Sequence, residues 1–217
     1  IRDSRISEHY TLLTDEHTSN FTMEDGTIIT LNKNSRLSYS DKYGKDSRNV
    51  KLEGEAYFEV SKTGQPFIVN VNGMQVEVLG TTFNISAYPN EEYQTTLVNG
   101  SVRVSAEKGE SLILKPSQQA TIVSGGNSIQ VRTVDTSFYT SWVKGKINFK
   151  DQRLEDIMKI LSRWYDMNVV YENEKLKNIR FGCNLNRYEE ITPFVKLLEK
   201  TEEVHVKIEG NTITFHN

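Results

Sequence analysis

The chain has 217 residues and a formal net charge of −3, with a mean hydropathy of −0.54. Its length fits one large domain or two small ones. The 26 Lys and Arg residues are scattered and form no basic stripe, which argues against a nucleic-acid partner. No apolar run approaches the roughly 20 residues that a membrane helix needs, and the opening IRDSRISEHY has no signal-peptide pattern.

From residue 20 to about residue 133 the pattern indicates short strands separated by turns. The stretch LEGEAYFEV (52–60) alternates apolar and polar residues, which predicts a strand with one apolar face. Glu53, Glu55 and Glu59 then lie on the opposite face, with adjacent positions about 7 Å apart. Gly54 falls on the apolar face, where a side chain does not fit or the backbone has to bend.

Two interpretations of the three glutamates differ in function. Carboxylates at about this spacing can cleave glycosides, but a catalytic pair needs one carboxyl group with a raised pKa. No histidine base, nucleophile elbow or metal-ligand set accompanies them in the sequence. We therefore predict that Glu53, Glu55 and Glu59 form a solvated outer face, and that the protein is not an enzyme and has no catalytic residues.

Two Asn-Gly dipeptides predict tight hairpins. Asn72-Gly73 favours a two-residue type I′ turn, which pairs three apolar positions on one face: Val71 with Met74, Val69 with Val76, and Phe67 with Val78. The same reasoning at Asn99-Gly100 pairs Leu97 with Val102 and Thr95 with Val104.

The next stretch continues the series of strands. LILKPSQQATIV (112–123) predicts two strands around a Pro-Ser turn, SGGNS (124–128) a loop, and SIQVRTV (128–134) a final strand. Short strands at this spacing predict an all-β sandwich, which we expect to be jelly-roll-like.

After about residue 135 the pattern becomes mixed. Strands are predicted at KINF (146–149), NVVY (168–171) and IRFG (179–182), and a hairpin at 204–215. Asp151 is a plausible N-cap for a helix whose apolar stripe is Leu154, Ile157, Met158, Leu161, Trp164 and Tyr165. A second helix carries Ile191, Phe194, Val195 and Leu198, with Pro193 in its first turn. The order β-α-β-β-α-β-β predicts a small α+β domain in which two helices cover one face of a sheet.

Residues that could ligate a metal or act as a nucleophile are few and dispersed. Cys183 is the single cysteine and has no histidine near it in sequence, so we expect it to be a small core residue. The four histidines, which lack metal-ligand spacing, are His9, His17, His205 and His216. We expect no metal centre and no cofactor.

Six stretches, in this order and spacing, resemble the periplasmic part of FecR-like transmembrane anti-sigma factors. They are DGTIITLNKNSRLSY (25–39), RNVKLEGEAYFEV (48–60), PFIVNV (66–71), VEVLGTTFNISAY (76–88), LVNGSVRV (97–104) and LKPSQQA (114–120). The stretch KINFKDQRLEDIMKILSRWYDMNVVY, which begins at residue 146, is similar to the short N-terminal signalling domain of secretins and TonB-dependent receptors. The resemblance suggests a linker over residues 1–19, a FecR-like β domain over 20–135 and a signalling-type α+β domain over 136–217.

The resemblance implies a relay across two membranes. In such proteins a cytoplasmic segment holds an extracytoplasmic-function sigma factor, one helix crosses the inner membrane, and the periplasmic part contacts the signalling domain of a TonB-dependent outer-membrane transporter. We expect residues 144–217 to make that contact, and the sequence to correspond to the periplasmic portion without the cytoplasmic segment and the membrane helix. The relay would control transcription of nutrient-uptake genes.

A second interpretation is a jelly roll that binds carbohydrate directly. Five aromatic residues could stack on sugar rings: Tyr88, Tyr93, Phe138, Tyr139 and Trp142. The same residues could equally be packing residues of a core.

Overall fold

The computed structural model describes residues 9–107, 109–122, 128–187 and 189–217. The chain divides into two compact units, Ile1–Val143 and Lys144–Asn217. The sequence pattern predicts this boundary after residue 135, because the strands of the first unit end shortly before it. Two short helices follow those strands, and all of their residues except the last, Lys144, belong to the first unit.

The first unit is built from strands. In chain order they are β1 (His9–Thr14), β2 (Ser19–Thr22), β3 (Ile28–Leu31), β4 (Ser35–Ser40), β5 (Arg48–Glu59), β6 (Phe67–Val71), β7 (Met74–Val78), β8 (Thr82–Ala87), β9 (Tyr93–Asn99), β10 (Val102–Ala106), β11 (Ser111–Leu114), β12 (Gln118–Ile122) and β13 (Gln130–Thr133). They are followed by the helices α1 (Thr136–Tyr139) and α2 (Ser141–Lys144).

These strands form two layers that share β5. The first layer runs in the order β1-β4-β5-β6-β7-β10-β11, and the second in the order β2-β3-β5-β8-β9-β12-β13. Residues 50–53 of β5 pair with β4, whereas residues 56–59 pair with β3. The change of layer falls at Gly54, whose φ is +97°. A Cβ there would lie 2.4 Å from Ser35 Oγ and 2.7 Å from Ser35 Cα, so only glycine fits.

The core lies between the two layers. Alternate residues of β5 face it, as predicted: Leu52, Ala56 and Phe58 are all buried. The rings of Phe58 and Phe83 stack at 4.9 Å between centroids, and Phe67 packs edge-on against Phe58. The predicted sandwich followed by a small α+β domain is confirmed.

The hairpin at Asn72-Gly73 has the predicted register. β6 pairs with β7 through Phe67–Val78, Val69–Val76 and Val71–Met74, and all six side chains are buried. The turn is not the predicted type I′, because Gly73 has a φ of +80° but Asn72 does not have a positive φ. The two-residue loop and the hydrophobic alternation still give the predicted register.

The hairpin predicted at Asn99-Gly100 is wrong. Leu97 of β9 pairs with Phe83 of β8, and Val102 of β10 pairs with Leu114 of β11. The dipeptide is instead a corner at which the chain crosses between layers. Gly100 has a φ of +100°, and a Cβ there would lie 2.8 Å from Thr81 Oγ1.

The predicted Pro-Ser turn joins two strands that belong to different layers. β11 pairs with β10 in the first layer, and β12 pairs with β9 and β13 in the second. Apolar alternation predicts that both strands face a core, but it does not say to which layer each strand belongs. The loop predicted over SGGNS (124–128) lies outside the described residues except for residue 128.

The stretch assigned to a linker over residues 1–19 contains a strand. β1 pairs with β4 along its whole length, from His9–Ser40 to Thr14–Ser35. Thr14 is buried, whereas Tyr10 and Leu13 are largely exposed because β1 is the edge of its layer.

The second unit has the predicted order of elements. They are β14 (Lys146–Arg153), α3 (Leu154–Tyr165), β15 (Asn168–Tyr171), a short 3-10 helix (Glu174–Asn178), β16 (Arg180–Asn186), α4 (Thr192–Glu199), β17 (His205–Glu209) and β18 (Thr212–His216). The predicted apolar stripe of α3 is buried, apart from the half-buried Tyr165. Pro193 lies in the first turn of α4, as predicted.

Two details of the second unit differ from prediction. The strands form two small sheets, β14-β16 and β15-β18-β17, rather than one. Asp151 does not cap α3: it lies within β14 at a bulge, has a φ of +52°, and pairs with Arg180 at 2.9 Å. Because β14 continues past the bulge, α3 begins only at Leu154, and its N-cap position is Arg153.

The longest described helix is α3, with 12 residues. Within the described ranges, no helix has both the length and the apolar character needed to span a membrane.

Candidate functional site

The three glutamates of β5 do not share one environment. Glu53 and Glu59 are exposed, as predicted, but Glu55 is buried with 6% of its surface accessible. The prediction that Glu55 lies on a solvated face is therefore wrong. The outer side of the second layer is covered at this position, which alternation along one strand cannot reveal.

Two asparagine side chains hold the Glu55 carboxylate. Asn32 donates from Nδ2 to Oε2 at 2.8 Å, and Asn84 donates from Nδ2 to Oε1 at 2.9 Å. The backbone N–H of Glu55 donates to Ser35 Oγ at 2.9 Å. Asn32 follows β3, and Asn84 lies on β8, the two strands that flank this half of β5. The carboxylate is thus fixed by its neighbours on both sides.

The network continues beyond the asparagines. The indole N–H of Trp142 in α2 donates to Asn84 Oδ1 at 3.2 Å. On the other side, the backbone N–H of Lys33 donates to Asn32 Oδ1 at 2.9 Å, and Tyr88 donates its hydroxyl to the Lys33 carbonyl at 2.9 Å. We call Trp142, Asn84, Glu55 and Asn32 the Glu55 network.

The three glutamates do not make a common pocket. A shallow cleft of about 390 Å³ is lined in part by Glu53, Lys51, Asn72 and Tyr93, and neither Glu55 nor Glu59 lines it. Glu55 is enclosed by amide donors, which suits structural anchoring. A pair of carboxylates facing one substrate, as glycoside hydrolysis requires, is not formed by these residues.

The aromatic residues proposed for sugar stacking are mostly interior. Tyr88, Tyr93, Phe138 and Trp142 have between 0% and 8% of their surface exposed. Tyr139 is half-buried, and its hydroxyl accepts a hydrogen bond from Arg132 at 2.7 Å. Stacking on a sugar needs an open ring face, which the four buried residues do not offer.

A second buried polar cluster surrounds Arg48 at the start of β5. Its side chain is 1% exposed and donates to Asp25 Oδ2 and to the Ser61 carbonyl, both at 2.9 Å. The guanidinium also donates to the Gln65 carbonyl and lies over the ring of Phe67. Asp25 in turn accepts from the hydroxyl of Tyr43 at 3.1 Å. Arg48 therefore ties the β2–β3 loop to the β5–β6 loop, and Asp25 adds the β4–β5 loop through Tyr43.

This cluster predicts a dependence of stability on pH. Burial alone would raise the pKa of Asp25, but hydrogen bonds from Arg48, Thr27 and Tyr43 outweigh it and lower that pKa below 3.8. A lowered folded-state pKa contributes stability that is complete above about pH 4 and is lost as the pH falls through the folded-state value. We expect the acid-unfolding profile of Asp25→Asn to be flatter than that of the native chain below pH 4, measured by urea titration at each pH. Parallel profiles would contradict this assignment.

The cysteine and histidines show no catalytic grouping among the described residues. Burial raises the pKa of the Cys183 thiol to about 11, so the thiol is protonated at neutral pH. His205 and His216 are cross-strand neighbours, with ring centroids 5.6 Å apart, whereas His9 and His17 are exposed elsewhere. In the part of the chain that the structure describes, no three His, Cys, Asp or Glu side chains gather as a metal ion would need.

In the second unit, two strands of the three-stranded sheet pair with another described strand on one side only. In the three-stranded sheet β18 is central, so β15 and β17 are its edges. Four of the five residues of β17 are exposed, and Ile208 of β17 and Val170 of β15 are apolar residues with more than 40% of their surface accessible. The other sheet carries a shallow groove of about 390 Å³, lined on β14 and β16 by Ile147, Asn148, Asn184 and Leu185.

Two family models match the chain, one in each unit. The model described as FecR protein matches residues 11–103, and the model described as FecR, C-terminal matches residues 146–215. Between them the matches span most of both units. The chain belongs to the FecR family.

Solved structures share the FecR fold of this chain over nearly its full length. Two crystal structures of a proposed anti-sigma factor from Parabacteroides distasonis ATCC 8503, at 1.65 Å and 2.50 Å resolution, align with TM-scores of 0.81 and 0.80. Each is 22% identical to this chain, and the alignments cover 96% and 97% of this chain and 99% of those chains. A comparison with curated protein sequences finds no match.

The FecR match includes part of the Glu55 network. Asn32, Glu55 and Asn84 lie within residues 11–103, whereas Trp142 lies between the ranges of the two family models. The segment that closes the network is therefore the connection between the two FecR units.

Proposed function

We propose that this FecR-family protein is the periplasmic portion of an anti-sigma factor anchored in the inner membrane by a single helix. It receives a signal from the signalling domain of a TonB-dependent outer-membrane transporter and passes it to an extracytoplasmic-function sigma factor. The sigma factor is held by a cytoplasmic segment outside this sequence. Family membership and the fold shared with a proposed anti-sigma factor support this role. We expect the protein to regulate transcription of nutrient-uptake genes and to catalyse no reaction.

The observation that carries the partner assignment is the edge strand β17 in the FecR C-terminal unit. It pairs with β18 on one side, and no described strand pairs with its other side. An exposed strand edge can accept an extended segment of another protein, and main-chain hydrogen bonds then supply the affinity. A β-rich signalling domain is a partner of the matching kind.

The register indicates which backbone groups are available. Glu209 and Thr212 close the two-residue turn, so this pair exchanges its own hydrogen bonds. Hydrogen-bonded and non-hydrogen-bonded pairs alternate along an antiparallel ladder, so the N–H and C=O of Ile208 point away from β18. Ile208 thus offers both main-chain groups and an exposed apolar side chain to a partner strand.

Replacement of Ile208 by proline tests this arrangement. Ile208→Pro removes the outward N–H without removing a bond to β18, and proline is tolerated on edge strands. We expect the affinity for the isolated signalling domain of the partner transporter to fall about tenfold, the equivalent of about 1.4 kcal/mol. Isothermal titration calorimetry measures the change.

The control is a substitution at the same position. Ile208→Thr keeps the N–H and the β-branched shape, so binding that depends on the main chain should fall far less than in Ile208→Pro. Equal affinity of Ile208→Pro and the native chain would rule out strand addition at β17. The absence of any binding by the native chain would count against the transporter as partner.

A further inference from the structure

We propose that the Glu55 network couples the segment entering the C-terminal unit to the N-terminal strand β1. Its role in signalling rests on the proposed function, but the coupling is a property of this chain alone. At one end is Trp142 in α2, two residues before the unit boundary. At the other end is Thr14, the last residue of β1.

The direction of each hydrogen bond in the network is determined from its ends. An indole N–H can only donate, so the oxygen of Asn84 has to face Trp142, and its NH₂ group faces Glu55. The Lys33 N–H likewise can only donate, so the oxygen of Asn32 faces it, and the NH₂ group of Asn32 also points to Glu55. The central group therefore has to accept on both of its oxygens, which a glutamate does and a glutamine cannot.

The network reaches β1 through the loop between β3 and β4. The Thr14 hydroxyl lies within hydrogen-bond distance of the carbonyls of Asn32 and Ser35, and it accepts from the N–H of Ser35 at 3.1 Å. The N–H of Asn34 donates to the Asp15 carbonyl at 2.8 Å. A shift of Asn32 thus changes the contacts that hold the end of β1 against β4.

The polar character of this path distinguishes it from ordinary core packing. Asn32, Glu55 and Asn84 are each at least 94% buried, and their side chains depend on one another for partners. Loss of one member leaves a buried donor or acceptor of the next unsatisfied, so the arrangement changes as a unit. Apolar contacts would relax locally instead.

Hydrogen exchange on the whole chain tests the coupling. Trp142→Phe keeps an aromatic ring but removes the indole N–H that orients Asn84. We expect amides of β1 (9–14) and of residues 32–35 to exchange about fivefold faster, the change that one net hydrogen bond makes in an opening equilibrium. The matched control is Tyr139→Phe in α1, which removes the bond from Arg132 but leaves the Glu55 network intact. It should leave exchange in β1 at the native rate.

Two outcomes would overturn the proposal. One is that Trp142→Phe accelerates exchange in α2 while β1 exchanges at the native rate. The other concerns the factor by which each substitution changes the unfolding equilibrium constant. If the factors for Trp142→Phe and Thr14→Val simply multiply in the double variant, the two sites are independent, because the free-energy changes of independent sites add. If the sites are coupled, the factor measured for the double variant should differ from that product by about fivefold. Transporter binding plays no part in either measurement, so this proposal and the proposed function can fail separately.

Discussion

Arg48→Met is expected to lower the free energy of unfolding by about 3–5 kcal/mol. The substitution keeps an apolar stem of similar length but removes every hydrogen bond that the guanidinium donates to Asp25, Ser61 and Gln65. Asp25, whose side chain is 7% exposed, is then left as a buried carboxylate without its cation. Urea denaturation at pH 7, followed by tryptophan fluorescence, measures the loss.

The matched control is the ion pair between Arg103 and Glu77. Its atoms are 3.6 Å apart, and 53% and 32% of the two side chains are exposed. An exposed pair contributes about 0–1 kcal/mol, so Arg103→Met should be nearly neutral. Replacing both buried partners, in Asp25→Leu with Arg48→Met, should restore much of the stability, because no buried charge remains. Equal losses for Arg48→Met and Arg103→Met would contradict this account.

Glu55→Gln is expected to lower the free energy of unfolding by about 2–3 kcal/mol, the cost of a buried donor left without an acceptor. The side chain keeps its size, but one of its two terminal atoms becomes an NH₂ group that faces the NH₂ group of either Asn32 or Asn84. Both asparagines are already oriented by their other hydrogen bonds, so neither can rotate without losing a second bond.

The neighbouring glutamate on the same strand provides the control. Glu53 is exposed, so Glu53→Gln should change stability by no more than about 0.5 kcal/mol. Both variants can be compared by chemical denaturation under one set of conditions. If the two substitutions cost the same, the carboxylate of Glu55 does not need two donors, and the Glu55 network has no energetic role.

Local sequence patterns predicted the parts of the fold in which neighbours in sequence are also neighbours in space. The β6–β7 hairpin is one such case, because its loop length and its alternation are both local. The amphipathic helix α3 is another, since its buried stripe follows the helical period. The crossover at Asn99-Gly100 was mistaken for a hairpin because the Asn-Gly dipeptide also occurs in hairpin turns, and only the pairing with other strands decides between the two.

The site was harder to predict because its members are distant in sequence. Glu55 lies between Gly54 and Ala56 of β5 at a position where alternation places an outward-facing residue, so the pattern of its own strand indicates exposure. Its burial depends on Asn84 and Trp142, which are 58 residues apart and hydrogen-bond to each other. One available signal was the presence of Asn32 directly after β3 and of Asn84 within β8, because strand positions otherwise favour apolar or β-branched residues.

The strand β5 has a consequence for how the sandwich tolerates insertions and deletions. Its two halves belong to different layers, and Gly54 marks the change between them. A one-residue insertion before Gly54 reverses the inward and outward positions against β4 and β6, and one after it does the same against β3 and β8. Length variation in this domain should therefore be confined to its loops, and both layers should melt in a single calorimetric transition.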